Sequence, residues 1–153
     1  MRRVVTLLSI IGAVGTVFFA PALNVFAASP GAVRHYNTGK MLLQNGKQEE
    51  AVEQFKIAAG LDPNFALPRN ELGAVYLSQG KDDEAIREFE AAVAIDNRSA
   101  TTHNNLGTAL LRKDRIEEAL TAFHRALEIE PNNPLFKQNY DSAREQSKKS
   151  DKK

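Results

Sequence analysis

Residues 66–99 read ALPRNELGAVYLSQGKDDEAIREFEAAVAIDNRS, and the pattern returns 34 residues upstream and 34 residues downstream. Gly73 has counterparts in Gly39 and Gly107, and Ala85 in Ala51 and Ala119. Phe89 answers to Phe55 and Phe123, and Ala92 to Ala58 and Ala126. Leu72 and Leu106 precede the later two glycines, with Thr38 in the first unit, while Leu42, Tyr76 and Leu110 follow each glycine by three. A fixed period at four independent positions marks a repeat architecture, in which one supersecondary unit recurs along the chain.

Within a unit, Leu72, Gly73 and Tyr76 fall about one helical turn apart, as do Ala85, Phe89 and Ala92. The spacing predicts two amphipathic helices per unit. Glycine and alanine at the repeated positions let the pair approach closely, and the phenylalanine fills the space between them. The chain must turn at Gln44-Asn45-Gly46, Ser78-Gln79-Gly80 and Arg112-Lys113-Asp114. Acidic residues follow each turn (Glu49-Glu50, Asp82-Asp83-Glu84, Glu117-Glu118) and belong in the first turn of the second helix, where the helix dipole favours negative charge.

These residues closely resemble the tetratricopeptide repeat (TPR), whose 34-residue pattern of L-G, an aromatic or leucine three on, then A, F, A and P maps onto 32–65, 66–99 and 100–133. The resemblance implies an all-α fold: an α-solenoid of three helix–turn–helix units. Departures are small. His35, Arg69 and His103 stand where the family usually has a large aromatic, Asn97 stands where Pro63 and Pro131 close the other units, and Thr38 makes the first helix more polar, as suits a terminal repeat. Asn133-Pro134 reads as an N-cap followed by proline at the first helical position. It opens a capping helix over 134–146, with Leu135, Phe136, Tyr140 and Ala143 facing the third unit. Residues 147–153 contain no apolar residue and read as a disordered basic tail.

The N-terminus is different material. No charged residue occurs from Val4 through Val33, although the chain carries 20 Lys+Arg and 19 Asp+Glu. Arg2-Arg3, an apolar run to Ala20, and then Val25 and Ala27 before Ala28 form the three parts of a secretory signal. Two readings of residues 1–27 stand: a cleaved signal peptide, or a retained membrane anchor, since Val4–Ala20 is close to spanning length. Both place the rest of the chain, beginning with a linker at 28–31, outside the cytoplasm. The expected location is the periplasm or the outer face of a bacterial inner membrane. With no cysteine, the exported domain must hold together without disulfides.

No catalytic pattern is present: no cysteine nucleophile, no glycine-rich phosphate loop and no metal-binding spacing. His35 and His103 occupy the same position two units apart and read as packing residues, while His124 reads as solvated. We therefore expect neither enzyme activity nor a cofactor or metal. The net charge of +1 conceals a leader of +2, repeats of −4 and a C-terminal segment of +3, none of which suits nucleic acid.

What remains is surface. The resemblance implies a concave groove lined by the first helix of each unit, and the positions facing it include Tyr36, Asn37, Lys40, Asn70, Glu71, Asn104, Asn105, Thr108 and Arg112. Amides carry both donor and acceptor and can pair with an extended backbone whatever its sequence. Family members that grip a C-terminal carboxylate use a Lys/Arg/Asn clamp. Here Lys40 and Arg112 are the only basic candidates in the groove and Glu71 lies between them, so that clamp is incomplete. The leading expectation is a scaffold or assembly module holding a peptide or helix of another exported protein. The alternatives are end-to-end self-assembly, with Phe136 and Tyr140 meeting the first unit of another copy, and an adaptor attached to the envelope through the leader or the tail lysines.

Overall fold

A computed structural model describes residues 28–150. The expected leader, 1–27, and the last three residues of the tail lie outside the described residues. Within them the chain forms seven α-helices and no strand: α1 (Pro30–Gln44), α2 (Gln48–Leu61), α3 (Ala66–Ser78), α4 (Asp82–Ile95), α5 (Ala100–Arg112), α6 (Ile116–Ile129) and α7 (Pro134–Ser150). The chain is an all-α solenoid of three helix pairs closed by α7.

The turn inside each pair is the same hydrogen-bonded device. Lys47 N–H donates to Leu42 C=O and Gly46 N–H to Leu43 C=O, and the bonds recur as Lys81 to Tyr76 with Gly80 to Leu77, and as Arg115 to Leu110 with Asp114 to Leu111. This is the Schellman arrangement, which satisfies the orphan carbonyls of a helix end and needs one left-handed residue. That residue has φ of 74° at Gly46, 73° at Gly80 and 60° at Asp114. The second helix then starts on the acidic residues that favour the positive end of its dipole. Between units, Asp62 and Asp96 each accept, through Oδ1, the N–H two residues on, at 3.0 Å.

The glycine–phenylalanine period is a packing contact. A Cβ placed on Gly39 would lie 2.5 Å from the Phe55 ring, one on Gly73 2.6 Å from Phe89, and one on Gly107 2.7 Å from Phe123. Each ring is buried and lies flat against the glycine backbone of the facing helix, so the two helices approach as only a missing side chain permits. Around the rings, Ala51, Ala58, Ala85, Ala92, Ala119 and Ala126 are almost wholly buried. Successive pairs join through Leu72 and Val75 against the first unit's core, and through Leu110 against the second's. At the open end, Thr38 is only partly buried where Leu72 is buried, so the first helix presents a more polar edge.

The expected polar positions pair locally. Arg69 meets Glu88 at 3.2 Å, and His35 Nδ1 lies 2.7 Å from Gln54 Oε1, 19 residues on in both cases. In the third unit the corresponding partner is Ala122, and the buried His103 turns its Nε2 to the carbonyl of Asn97, at 3.1 Å. His35 thus joins α1 to α2, and His103 joins α5 to the loop that precedes it. His124 is exposed, near Tyr140 and Glu128.

Two boundaries and the burial of one residue differ from the sequence expectation. The linker assigned to 28–31 is already helix from Pro30, because Ser29 Oγ accepts the Ala32 N–H and proline suits the first turn. Ser29 N–H also donates to Asp62 Oδ2 at 2.8 Å, tying the start of α1 to the end of α2. The capping helix, opened as expected by Asn133 on the N–H groups of Leu135 and Phe136, continues four residues past Gln146. Ser147 donates to Glu117 on α6 at 2.8 Å, and Lys148 and Lys149 complement the negative helix end, so residues 147–150 are helical. Leu135 is 53% exposed rather than packed; Phe136 and Ala143 carry the cap's burial.

Candidate functional site

The first helices of the units lie side by side, and three hydrogen bonds, each spanning 35 residues, define their shared face. Tyr36 on α1 donates its hydroxyl to Glu71 Oε1 on α3 at 3.4 Å. Arg112 on α5 donates to the Leu77 carbonyl of α3 at 2.8 Å. Asn139 on α7 donates Nδ2 to Asn104 Oδ1 on α5 at 2.8 Å. The step between neighbouring first helices is thus one repeat plus one residue.

At the α1 end, the Tyr36 ring stands edge-on to Phe65, 5.3 Å between centroids, and tilted against Phe55 at 6.0 Å. The Lys40 ammonium sits 5.6 Å from the Tyr36 centroid, within cation–π range. Burial, and then the adjacent Glu71 carboxylate as charge and as hydrogen-bond acceptor, push the Tyr36 phenol above its ordinary value. Asn37 is exposed beside it.

In the middle unit Glu71 is partly buried, and among the described residues it makes no ion pair. Asn70 is also partly buried, and its Oδ1 is enclosed without a hydrogen-bond partner. In the 35-residue register its donor would be Asn105, which does not reach it. Asn105 is partly buried on the face of α5.

Three expected groove residues are engaged in holding the fold. Asn104 is only 5% exposed and is joined to the partly buried Asn139 of the capping helix. The Thr108 hydroxyl turns back to the Asn104 carbonyl one helical turn earlier. Arg112 binds Leu77 C=O, and its Nε lies 3.2 Å from Asp82 Oδ1, near enough for an ion pair but off the line of a hydrogen bond. Arg112 therefore fastens the turn between α3 and α4. The remaining six are Tyr36, Asn37, Lys40, Asn70, Glu71 and Asn105, exposed or partly buried.

The same burial bears on self-assembly through the cap. Phe136 is buried against Ala100 and Ala126, and Tyr140 packs on the α4–α6 core, so neither projects from the end of the solenoid. The exposed face of α7 carries Lys137, Asp141, Arg144, Glu145 and Lys148.

Comparison with known proteins fits this geometry. A family model described as TPR repeat matches residues 39–80 and 73–114, and one described as Tetratricopeptide repeat matches 100–133. The chain belongs to the tetratricopeptide repeat family. Similar TPR folds recur among solved structures. The first TPR of Spaghetti (RPAP3), bound to the HSP90 peptide SRMEEVD, has a TM-score of 0.74 at 23% identity over 78% of this chain and 97% of that one. The second TPR domain of human RPAP3, in complex with the HSP70 peptide SGPTIEEVD, gives 0.71 at 24% over 74% and 95%. The Sgt2 TPR domain from Aspergillus fumigatus gives 0.76 at 17% over 83% and 85%. At these identities the likeness is one of fold. No sequence match was found among curated proteins.

Proposed function

We propose that this TPR chain is a non-enzymatic interaction module that holds an extended peptide, or a helix, of another exported protein along the shared face of α1, α3 and α5. The division of labour between the helices carries this reading. The second helix of each pair supplies the alanines and phenylalanine of the core, while the first helices leave Asn37, Lys40 and Asn105 without a side-chain hydrogen bond and Glu71 with one, from Tyr36. The similar solved TPR domains with bound peptides support the reading of a peptide-holding module.

The test is site-specific photocrosslinking in cells. A photoreactive residue at Asn37, Lys40 or Asn105 is expected to trap a partner, whereas one at the exposed Arg87 on α4 is not. Equal trapping from Arg87, or none from the three groove positions, would refute the assignment of the face. Fractionation of the same cells tests the exported location; recovery of the chain in the cytosol would overturn it.

A further inference from the structure

The residues equivalent to Glu71 in the other units are Asn37, Asn105 and, on the capping helix, Asn139. Three of the four are neutral amides, and the central one is a carboxylate. Tyr36 reaches that carboxylate from α1 and donates its hydroxyl to Oε1. Two other carboxylates at similar depth are answered by a cation, Glu88 by Arg69 and Asp82 by Arg112, while Asp62 accepts backbone N–H groups and Glu84 lies in the first turn of α4. Glu71 has no cation within 4 Å among the described residues, and Lys40 sits over the Tyr36 ring without reaching it. Next to Glu71, the enclosed Asn70 Oδ1 is another acceptor without a donor. The middle of the face thus holds a negative charge in an acceptor-rich setting, while its end cation, Arg112, is engaged internally.

We propose that Glu71 is the specificity-determining residue of this face, and that the segment it reads is an extended peptide carrying a lysine or arginine side chain opposite it. This rests on the reading of the face as a peptide groove. Partly desolvated, a carboxylate bonding to a cationic side chain is among the stronger polar contacts available, and a ligand carboxylate at the same place is repelled. The preference is opposite in charge to that of the acidic EEVD peptides held by the RPAP3 domains.

The probe is a phage-displayed library of random dodecapeptides, selected on the full chain, on Glu71→Lys and on Glu71→Gln, with circular dichroism confirming the fold of each. The parent chain should enrich peptides with Lys or Arg at a recurring position, and Glu71→Lys should enrich Asp or Glu there. A synthetic winner should bind Glu71→Gln at least about tenfold more weakly by fluorescence polarisation, as expected for a lost charge-assisted bond. Its charge-reversed version should prefer Glu71→Lys over the parent. Enriched peptides without a cationic position, or a preference unchanged in both variants, would overturn the role of Glu71 while leaving the groove intact. A failure to enrich any peptide on all three chains would overturn the groove reading itself, and this inference with it. Should Glu71→Lys not fold, the isosteric Glu71→Gln decides.

Discussion

Gly73→Ala and Gly60→Ala are the same chemical change in the same fold, and the structure assigns them opposite signs. Alanine gains about 1 kcal/mol over glycine in a helix interior. At Gly60, near the end of α2, a new Cβ meets nothing within 4 Å, so most of that gain is realised and stability rises by about 0.5–1 kcal/mol. At Gly73 the Cβ would lie 2.6 Å from Phe89 Cε1, 2.7 Å from Cδ1 and 2.9 Å from Cζ. The ring must retreat by roughly 0.9 Å to recover an ordinary carbon contact of about 3.5 Å. Phe89 is fully buried in a cluster with Ala85, Ile86 and Leu110, so it has nowhere to retreat without pushing the helices apart. Overpacking of this kind costs about 1–3 kcal/mol, and the enclosed site takes the upper end. Set against the propensity gain, the net loss is about 2 kcal/mol. Urea denaturation followed by circular dichroism at 222 nm reads both variants. In Gly73→Ala/Phe89→Leu, the clash and the cavity should partly cancel, with a coupling of at least about 1 kcal/mol. A Gly73→Ala variant as stable as Gly60→Ala, or a strictly additive double variant, would refute the claim that glycine is there to seat the ring.

Asn104→Ala should cost about 1–2 kcal/mol, because it strands the Asn139 amide, whereas Asn70→Ala should change stability by less than about 0.5 kcal/mol, because it removes an acceptor that is already unpaired; equal losses in denaturant midpoint would contradict the register. Asp114→Gly should raise stability by about 0.5–1 kcal/mol, since Asp114 holds the left-handed turn position with φ of 60° that glycine fills in the other two units, and a lower melting temperature would count against the strain argument. Tyr36 should ionise late in an absorbance titration at 295 nm, with the late phase missing in Tyr36→Phe and moved to lower pH in Glu71→Gln. Because its folded pKa lies above the unfolded value, the folded chain binds more protons there, so this contribution to stability is complete below about pH 10 and lost as pH rises further.

How far the sequence could be read follows from what a period of 34 can and cannot carry. The helix pairs, their turns and the glycine–phenylalanine seat are contacts inside a unit, so the same residue types must recur at the same spacing, and the repeat displays them directly. Even the capping helix is legible, since Asn133-Pro134 carries its own start signal; the equally good Ser29-Pro30 start was obscured by the apolar stretch before it. The site is less legible because its contacts run from residue i to i+35. Partners therefore belong to two different repeat positions, and their chemistry varies from unit to unit: Tyr36 with Glu71, Leu77 with Arg112, Asn104 with Asn139. Listing the face by position puts both members of each pair in one groove, although the first member serves to fasten one unit to the next. Asn104 and Arg112 show this: each is also bonded to an atom 35 residues distant, which position along the repeat does not announce. The residues of the face with groups left for a partner include those at the second position, Asn37, Glu71 and Asn105, together with the exposed Lys40. At the second position only Glu71 carries charge, so the discrimination among partners proposed for this face falls on the residue at which the repeat departs from its own amide pattern.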